Sequence, residues 1–232
     1  MLPECRAVVF DLDDTLYPYR RFRLSGFLAV ARHLAATRGL DTRLGFAALV
    51  GASRSGHRGR EIQACLEQHD VPAADLPVLV DVLRHHAPRL RLSQTTARML
   101  ATLRREGWRL GVLTNGQPTI QARKVAALGL APLVDAVAYA VSSGRGVGKP
   151  DPEPFASIAR ELRVPPAQIV FVGDDERCDV VGALTAGMQA IRCATWVAAP
   201  NATAAKAVIA RMTQVPAVAR TLLERGSKSH AA

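Results

Sequence analysis

The chain has 232 residues, 49% hydrophobic and 22% charged, which suits one ordinary globular domain, or one domain with an insertion. No apolar run approaches the roughly 18 residues of a membrane span, and Met1-Leu2-Pro3-Glu4-Cys5-Arg6 lacks the basic and apolar parts of a secretory signal, so a cytoplasmic protein without membrane contact is expected. The net charge of +10 raises nucleic-acid binding as a possibility, but the charges form no tails or dense runs, and Cys5, Cys65, Cys178 and Cys193 show neither metal spacing nor a disulfide framework.

Residues 6–10, Arg-Ala-Val-Val-Phe, predict a short buried strand that stops at Asp11-Leu12-Asp13-Asp14-Thr15, acids that strands avoid. Helical periodicity follows over 22–38, 43–50, 59–69 and 74–86, broken at Gly39-Leu40-Asp41, around 53–58 and at Val71-Pro72. This stretch holds an excess of basic residues that would attract anions; a solvated arginine-rich surface is the plainer alternative.

From Ser93, a plausible helix N-cap, the pattern changes. A helix over 93–106 leads to an apolar run at 110–113. A helix over 118–128 ends at Gly129. An apolar stretch at 134–141, a helix at 154–162, a strand at 169–172, a helix at 179–186 closed by Gly187 and a strand at 189–193 follow. A short edge strand at 207–209, a last helix at 215–224 and a frayed tail from Gly226 complete the chain. Alternating strands and helices, with continuous apolar strands, predict an α/β fold: a Rossmann-like parallel sheet covered on both faces. Residues 1–17 and 89–232 form this core, and 18–88 form an inserted all-helical domain.

Four polar clusters each follow an apolar strand: Asp11-Leu12-Asp13-Asp14-Thr15, Thr114-Asn115-Gly116, Gly148-Lys149-Pro150-Asp151-Pro152, and Gly173-Asp174-Asp175 with Asp179 behind. Ligands of open α/β sheets bind outside the carboxyl ends of the strands, so all four are expected at one edge. Crowded carboxylates repel unless a cation neutralises them. Asp11 and Asp174 suit magnesium, and Lys149 would offset the charge of a phosphoryl group. Asp11 could then attack phosphorus. Asp13 could serve as general acid and base, and Thr114 with the Asn115 amide could hold phosphate oxygens. Each cluster alone has a plainer reading as a cap, a turn, a surface lysine or an acidic helix start. Their joint occurrence after successive strands favours the chemical one.

At these residues the chain resembles the haloacid dehalogenase-like superfamily, from Val8 to about Leu223. Asp11-x-Asp13-x-Thr15, Thr114, Lys149 before Pro-Asp-Pro, and Gly173-Asp174 with Asp179 match its four motifs. The resemblance implies Asp11 as nucleophile and metal ligand, Asp13 as acid/base and ligand through its backbone carbonyl, and Asp174 as a further ligand. Asp179, beside Asp175, would support Lys149 or a metal-bound water. It also implies that 18–88 is a helical cap that closes over the site and contributes selectivity. The family's dehalogenases lack an acid at the place of Asp13, which points to the phosphatase branch. Relatives often carry an acid within Ser143-Gly144-Arg145-Gly146, absent here, and Asn in place of Cys178.

Specificity is expected from the insertion, where Arg54, Arg58 and Arg60, with His57, cluster in a break between helices. Phe22, Phe27 and Phe46 are expected in its core, and Trp108 and Trp196 as packing residues. The expected activity is magnesium-dependent hydrolysis of a small phosphorylated metabolite: a sugar phosphate, a phosphoglycolate-like acid or a nucleoside monophosphate. The alternatives are a phosphosugar mutase with the same nucleophile, or a basic non-enzymatic binding protein. A monomer or a homodimer fits either.

Overall fold

The computed structural model describes residues 5–142, 147–198 and 201–229. The chain divides into two compact units, one of Met1–Pro18 with Arg91–Ala232, the other of Tyr19–Leu90.

The first unit is built on a six-stranded sheet. Its strands are β1 (Ala7–Phe10), β2 (Arg109–Thr114), β3 (Ala136–Tyr139), β4 (Ile169–Gly173), β5 (Gln189–Cys193) and β6 (Ala207–Ile209), in the order β3-β2-β1-β4-β5-β6. The pairings are parallel. Every residue of β1 and β4 is buried, as a sheet covered on both faces requires. The order reverses beside β1: the chain runs outward through β2 and β3 on one side and through β4, β5 and β6 on the other. Phe10 lies level with both Val112 and Val172, so the residues after β1 emerge beside the ends of β2 and β4. That is the crevice where such sheets bind ligands.

The second unit contains α1 (Arg20–Arg38), α2 (Thr42–Arg54), α3 (Glu61–Gln68) and α4 (Leu76–His85). It has its own core, in which Phe27, Val30 and Leu34 of α1 meet Leu49 of α2, Ile62 and Leu66 of α3, and Leu79 of α4. Phe22 is also buried and Phe46 packs against this core. Asp41 caps α2 by accepting from the Arg43 and Leu44 amides. Arg38 grips Asp75 through two nitrogens, and Arg23 pairs with Glu61. Among the described residues no helix is long and apolar enough to cross a membrane.

The remaining helices belong to the sheet unit: α5 (Gln94–Arg105), α6 (Pro118–Ala127), α7 (Pro152–Leu162), α8 (Gly182–Thr185) and α9 (Val215–Ser229). Ser93 caps α5 through the Thr96 amide. Gly129, at φ 63°, terminates the α6 segment in the left-handed conformation that glycine tolerates.

Three expectations change. The break placed at 53–58 begins later, because α2 continues to Arg54. The last helix passes Gly226 and reaches Ser229; only 230–232 of the expected tail lie outside the described residues, as does the acid-free stretch 143–146. The segment expected as a regular helix from Asp179 instead opens earlier, as a wide π-type turn over Glu176–Val181. There the Val180 amide reaches back five residues to the Asp175 carbonyl at 3.2 Å.

Candidate active site

Asp11 follows β1 directly. Its amide donates to the Val172 carbonyl at 2.9 Å, so the β1–β4 ladder runs one residue past the strand and fixes the Asp11 backbone. The side chain is buried beside Lys149, whose ammonium donates to Asp11 Oδ1 at 2.6 Å, Asp179 Oδ1 at 2.6 Å and the Leu113 carbonyl at 3.1 Å. All three protons of a buried ammonium thus find acceptors, which its desolvation requires. Burial by itself would lower the Lys149 pKa; attraction to Asp11 and Asp179 outweighs it and raises the value. Lys149 is a fixed cation.

The backbone of Lys149 is held as firmly as its side chain. Asn115 Nδ2 donates to the Lys149 carbonyl at 2.9 Å, and the Lys149 amide donates to Asn115 Oδ1 at 2.8 Å. The Asn115 carboxamide is therefore committed to the lysine loop; its own amide and the Thr114 hydroxyl are the groups left for a phosphate. Gly148 makes the close approach feasible, since a Cβ there would lie 2.7 Å from Asn115 Oδ1.

Asp174 and Asp179 complete an acidic cluster. Asp11, Asp174 and Asp179 each offer an oxygen, all within 4.8 Å of one another. Asp179 Oδ2 accepts from the Asp175 amide at 2.9 Å. Thr15 Oγ1 donates to Asp174 Oδ1 at 3.4 Å. Burial, then the charges of Asp179 and Asp14, push Asp174 up to about 7. Burial also raises Asp11 well above the carboxylate range, with Asp179 and Asp13 adding to it against Lys149. Three carboxylates facing one ammonium leave two negative charges uncompensated, and such an oxygen set fits a hard divalent cation, which acts in the opposite direction and keeps carboxylates ionised. Asp175 is different. Burial works against its ionisation, yet hydrogen bonds from the Cys178 and Arg177 amides hold it below its ordinary value. Its carboxylate caps the wide turn at Cys178.

Asp13 points to another set of partners. Oδ1 accepts from the Tyr17 hydroxyl. Oδ2 accepts from Lys124 Nζ at 2.6 Å and from Gln121 Nε2 at 3.2 Å. Gln121 Nε2 also donates to Thr114 Oγ1 at 2.6 Å. The Asp13 carboxylate is thus not among the three clustered oxygens. Tyr17, Gln121 and Lys124 were not singled out from the sequence as site residues. The available signal was helical phase: buried positions 121, 124, 125 and 128 recur at i, i+3, i+4 and i+7, which places a glutamine and a lysine on an inward face.

Trp108 packs as expected, buried beneath the Arg6 guanidinium at 4.2 Å from its ring centre. Trp196 is instead partly exposed, and its indole donates to the Thr15 carbonyl at 3.3 Å. Arg54, His57, Arg58 and Arg60 are exposed in the helical unit, at the end of α2 and in the turn before α3.

A family model of haloacid dehalogenase-like hydrolases matches residues 5–187. The chain is 30% identical to a glyceraldehyde 3-phosphate phosphatase of Methanopyrus kandleri over 196 residues, covering 81% of this chain and 83% of that protein. It is 40% identical to a phosphoserine phosphatase of Thermus thermophilus over 92 residues, 40% of this chain and 36% of the relative. Among solved structures, a 2-haloacid dehalogenase of Pseudomonas syringae superposes with a TM-score of 0.63 at 28% identity, covering 95% of this chain and 99% of that one. The chain belongs to the haloacid dehalogenase-like hydrolase family and is one of its phosphatases.

Proposed function

We propose that this phosphatase is a magnesium-dependent phosphomonoesterase that cleaves a small phosphorylated metabolite through an aspartyl phosphate on Asp11. The observation that carries the reading is Lys149, a buried ammonium 2.6 Å from both Asp11 and Asp179. It holds the nucleophile in place and lessens the repulsion between a carboxylate and a phosphate dianion. Asp11 and Asp174, with the Asp13 carbonyl, would hold the magnesium ion, which would supply further charge neutralisation for the phosphoryl oxygens, and Asp179 would support Lys149 or a metal-bound water.

An Asp11 oxygen forms a bond to phosphorus while the ester P–O bond breaks. Asp13, in its protonated form, gives its proton to the departing oxygen. Asp13 then takes a proton from water as that water attacks the phosphorus, releasing Asp11 and inorganic phosphate. Thr114 and the Asn115 amide hold phosphoryl oxygens during both steps. The named relatives take glyceraldehyde 3-phosphate and phosphoserine, both three-carbon monoesters, which supports a small acidic or sugar-like substrate here. The helical unit is proposed as a selectivity cap, with Arg54, Arg58 and Arg60 as candidate anion contacts. The thiols of Cys5, Cys65, Cys178 and Cys193 are free, which supports a reducing, cytoplasmic setting.

Phosphate release from a panel of phosphorylated metabolites, with magnesium and alongside Asp11→Asn, tests the reading. Activity in the wild type and its loss in the variant is the expected result. Equal activity in both, or none from any ester, overturns it.

A further inference from the structure

We propose that α6 carries two positioning residues, Lys124 and Gln121, that fix the Asp13 carboxylate in the pose from which it handles the leaving-group proton. The proposal rests on the phosphomonoesterase reading above and assigns a task to residues outside the four motifs.

The geometry is specific. Lys124 and Gln121 lie three residues apart on the inward face of α6, 3% and 2% exposed. Burying an ammonium and an amide is costly unless each is partnered. Their partners include two residues of the site itself. Lys124 Nζ donates to Asp13 Oδ2 at 2.6 Å, and Gln121 Nε2 donates to Asp13 Oδ2 and to Thr114 Oγ1. The Asp13 side chain remains 28% exposed while that of Lys124 is 4% exposed. The two donors therefore stand behind the carboxylate, and its open side faces outward. Tyr17 holds the other oxygen, so both ends of the carboxylate are fixed.

Gln121 does a second thing. By donating to Thr114 Oγ1 at 2.6 Å it makes that oxygen an acceptor, and the hydroxyl proton, which makes only a long 3.4 Å contact with the Asn115 carbonyl, can be given to a phosphoryl oxygen instead. One side chain thus links the hydroxyl that would hold the phosphate to the carboxylate that would protonate the ester oxygen. In the turn before α6, Gly116 sits at φ 119°, a backbone conformation that favours glycine, and lies in contact range of the Gln121 side chain. A buried lysine serving the fold alone would be satisfied by any carboxylate or by backbone carbonyls. It would not need a partly exposed acid of the site.

The test separates proton delivery from everything else. Single-turnover cleavage, enzyme in excess and magnesium present, is followed for p-nitrophenyl phosphate and for a simple alkyl phosphate. The first leaving group departs without a proton; the second needs one. In Lys124→Met and Gln121→Met, alkyl ester cleavage is expected to fall by about tenfold or more relative to p-nitrophenyl ester cleavage, part of the range that acid catalysis contributes. Lys124→Arg should restore much of the ratio. Both esters falling by one factor, or neither falling, overturns the proposal. If Lys124→Met does not fold, Gln121→Met decides alone, since it removes no charge. If the wild type cleaves neither these esters nor any in the metabolite panel, the phosphomonoesterase reading has failed instead.

Discussion

Gly173 has no room for a side chain because Asp179 occupies the space: a Cβ on Gly173 would overlap the Asp179 carboxylate. The glycine that ends β4, before Asp174, is thus a steric requirement set six residues downstream. Gly173→Ala must push Asp179 away, and with it one of the two carboxylates that anchor Lys149. Overpacking of this kind costs about 1–3 kcal/mol. The expected result is a lower melting temperature with kcat reduced more than KM is raised. Thermal melts and steady-state kinetics check it, and a fully active Gly173→Ala would contradict it.

Lys149→Met removes the cation from a buried cluster and leaves Asp11 and Asp179 facing each other. Breaking a buried pair from one side costs about 3–5 kcal/mol. Losing one preorganised charge at the reacting centre costs about 10²–10³ in kcat. Repulsion among the carboxylates should also make the variant lean harder on magnesium. Its melting temperature is expected to rise more on adding magnesium than that of the wild type, and an equal rise would count against the arrangement.

Asn115→Asp keeps the acceptor for the Lys149 amide but turns the donor facing the Lys149 carbonyl into a second acceptor. A buried group left facing a like partner costs about 1–3 kcal/mol. If the side chain works by holding the lysine loop, the variant loses stability and kcat while KM changes little. A large rise in KM at unchanged stability would assign the carboxamide to the phosphate instead.

Magnesium should stabilise the protein more at pH 8 than at pH 5.5. Burial, with Asp179 and Asp14, raises the folded-state pKa of Asp174 to about 7, above the ordinary aspartate value of about 3.9. Between those values the metal-free folded state binds the extra proton at Asp174, so that group's contribution to stability is fully present below about 3.9 and is lost as pH rises towards 7. Protons and magnesium compete for the same oxygens. The magnesium-induced rise in melting temperature should therefore grow with pH up to about 7 and level off above it. Differential scanning fluorimetry across that range measures this, and a pH-independent rise would contradict the site.

Much of the fold was legible because its signals are local. Continuous apolar runs mark strands buried on both faces, as 169–172 does within fully buried β4, and the expected strands at 189–193 and 207–209 coincide with β5 and β6. Caps at Ser93 and Gly129 follow from backbone chemistry that involves only neighbours. Polar clusters after strand ends are also local, so Asp11, Thr114, Lys149 and Asp174 stood out in the chain. The course of Glu176–Val181 was not legible, because its width is set by Asp175 and Asp179 hydrogen bonds that no apolar period records.

By itself, then, the sequence determined the order of strands and helices, the four polar clusters and the presence of a helical insertion, since each depends on residues close together along the chain. Only the tertiary structure decided how the charges are paired. Lys149 lies 138 residues from Asp11, and Lys124 lies 111 residues from Asp13. Both bonds exist because the packed chain brings the loop before α7 and the inward face of α6 to the residues that follow β1. A buried lysine must find acceptors wherever the packed chain provides them, and spacing in the sequence does not encode which ones these are.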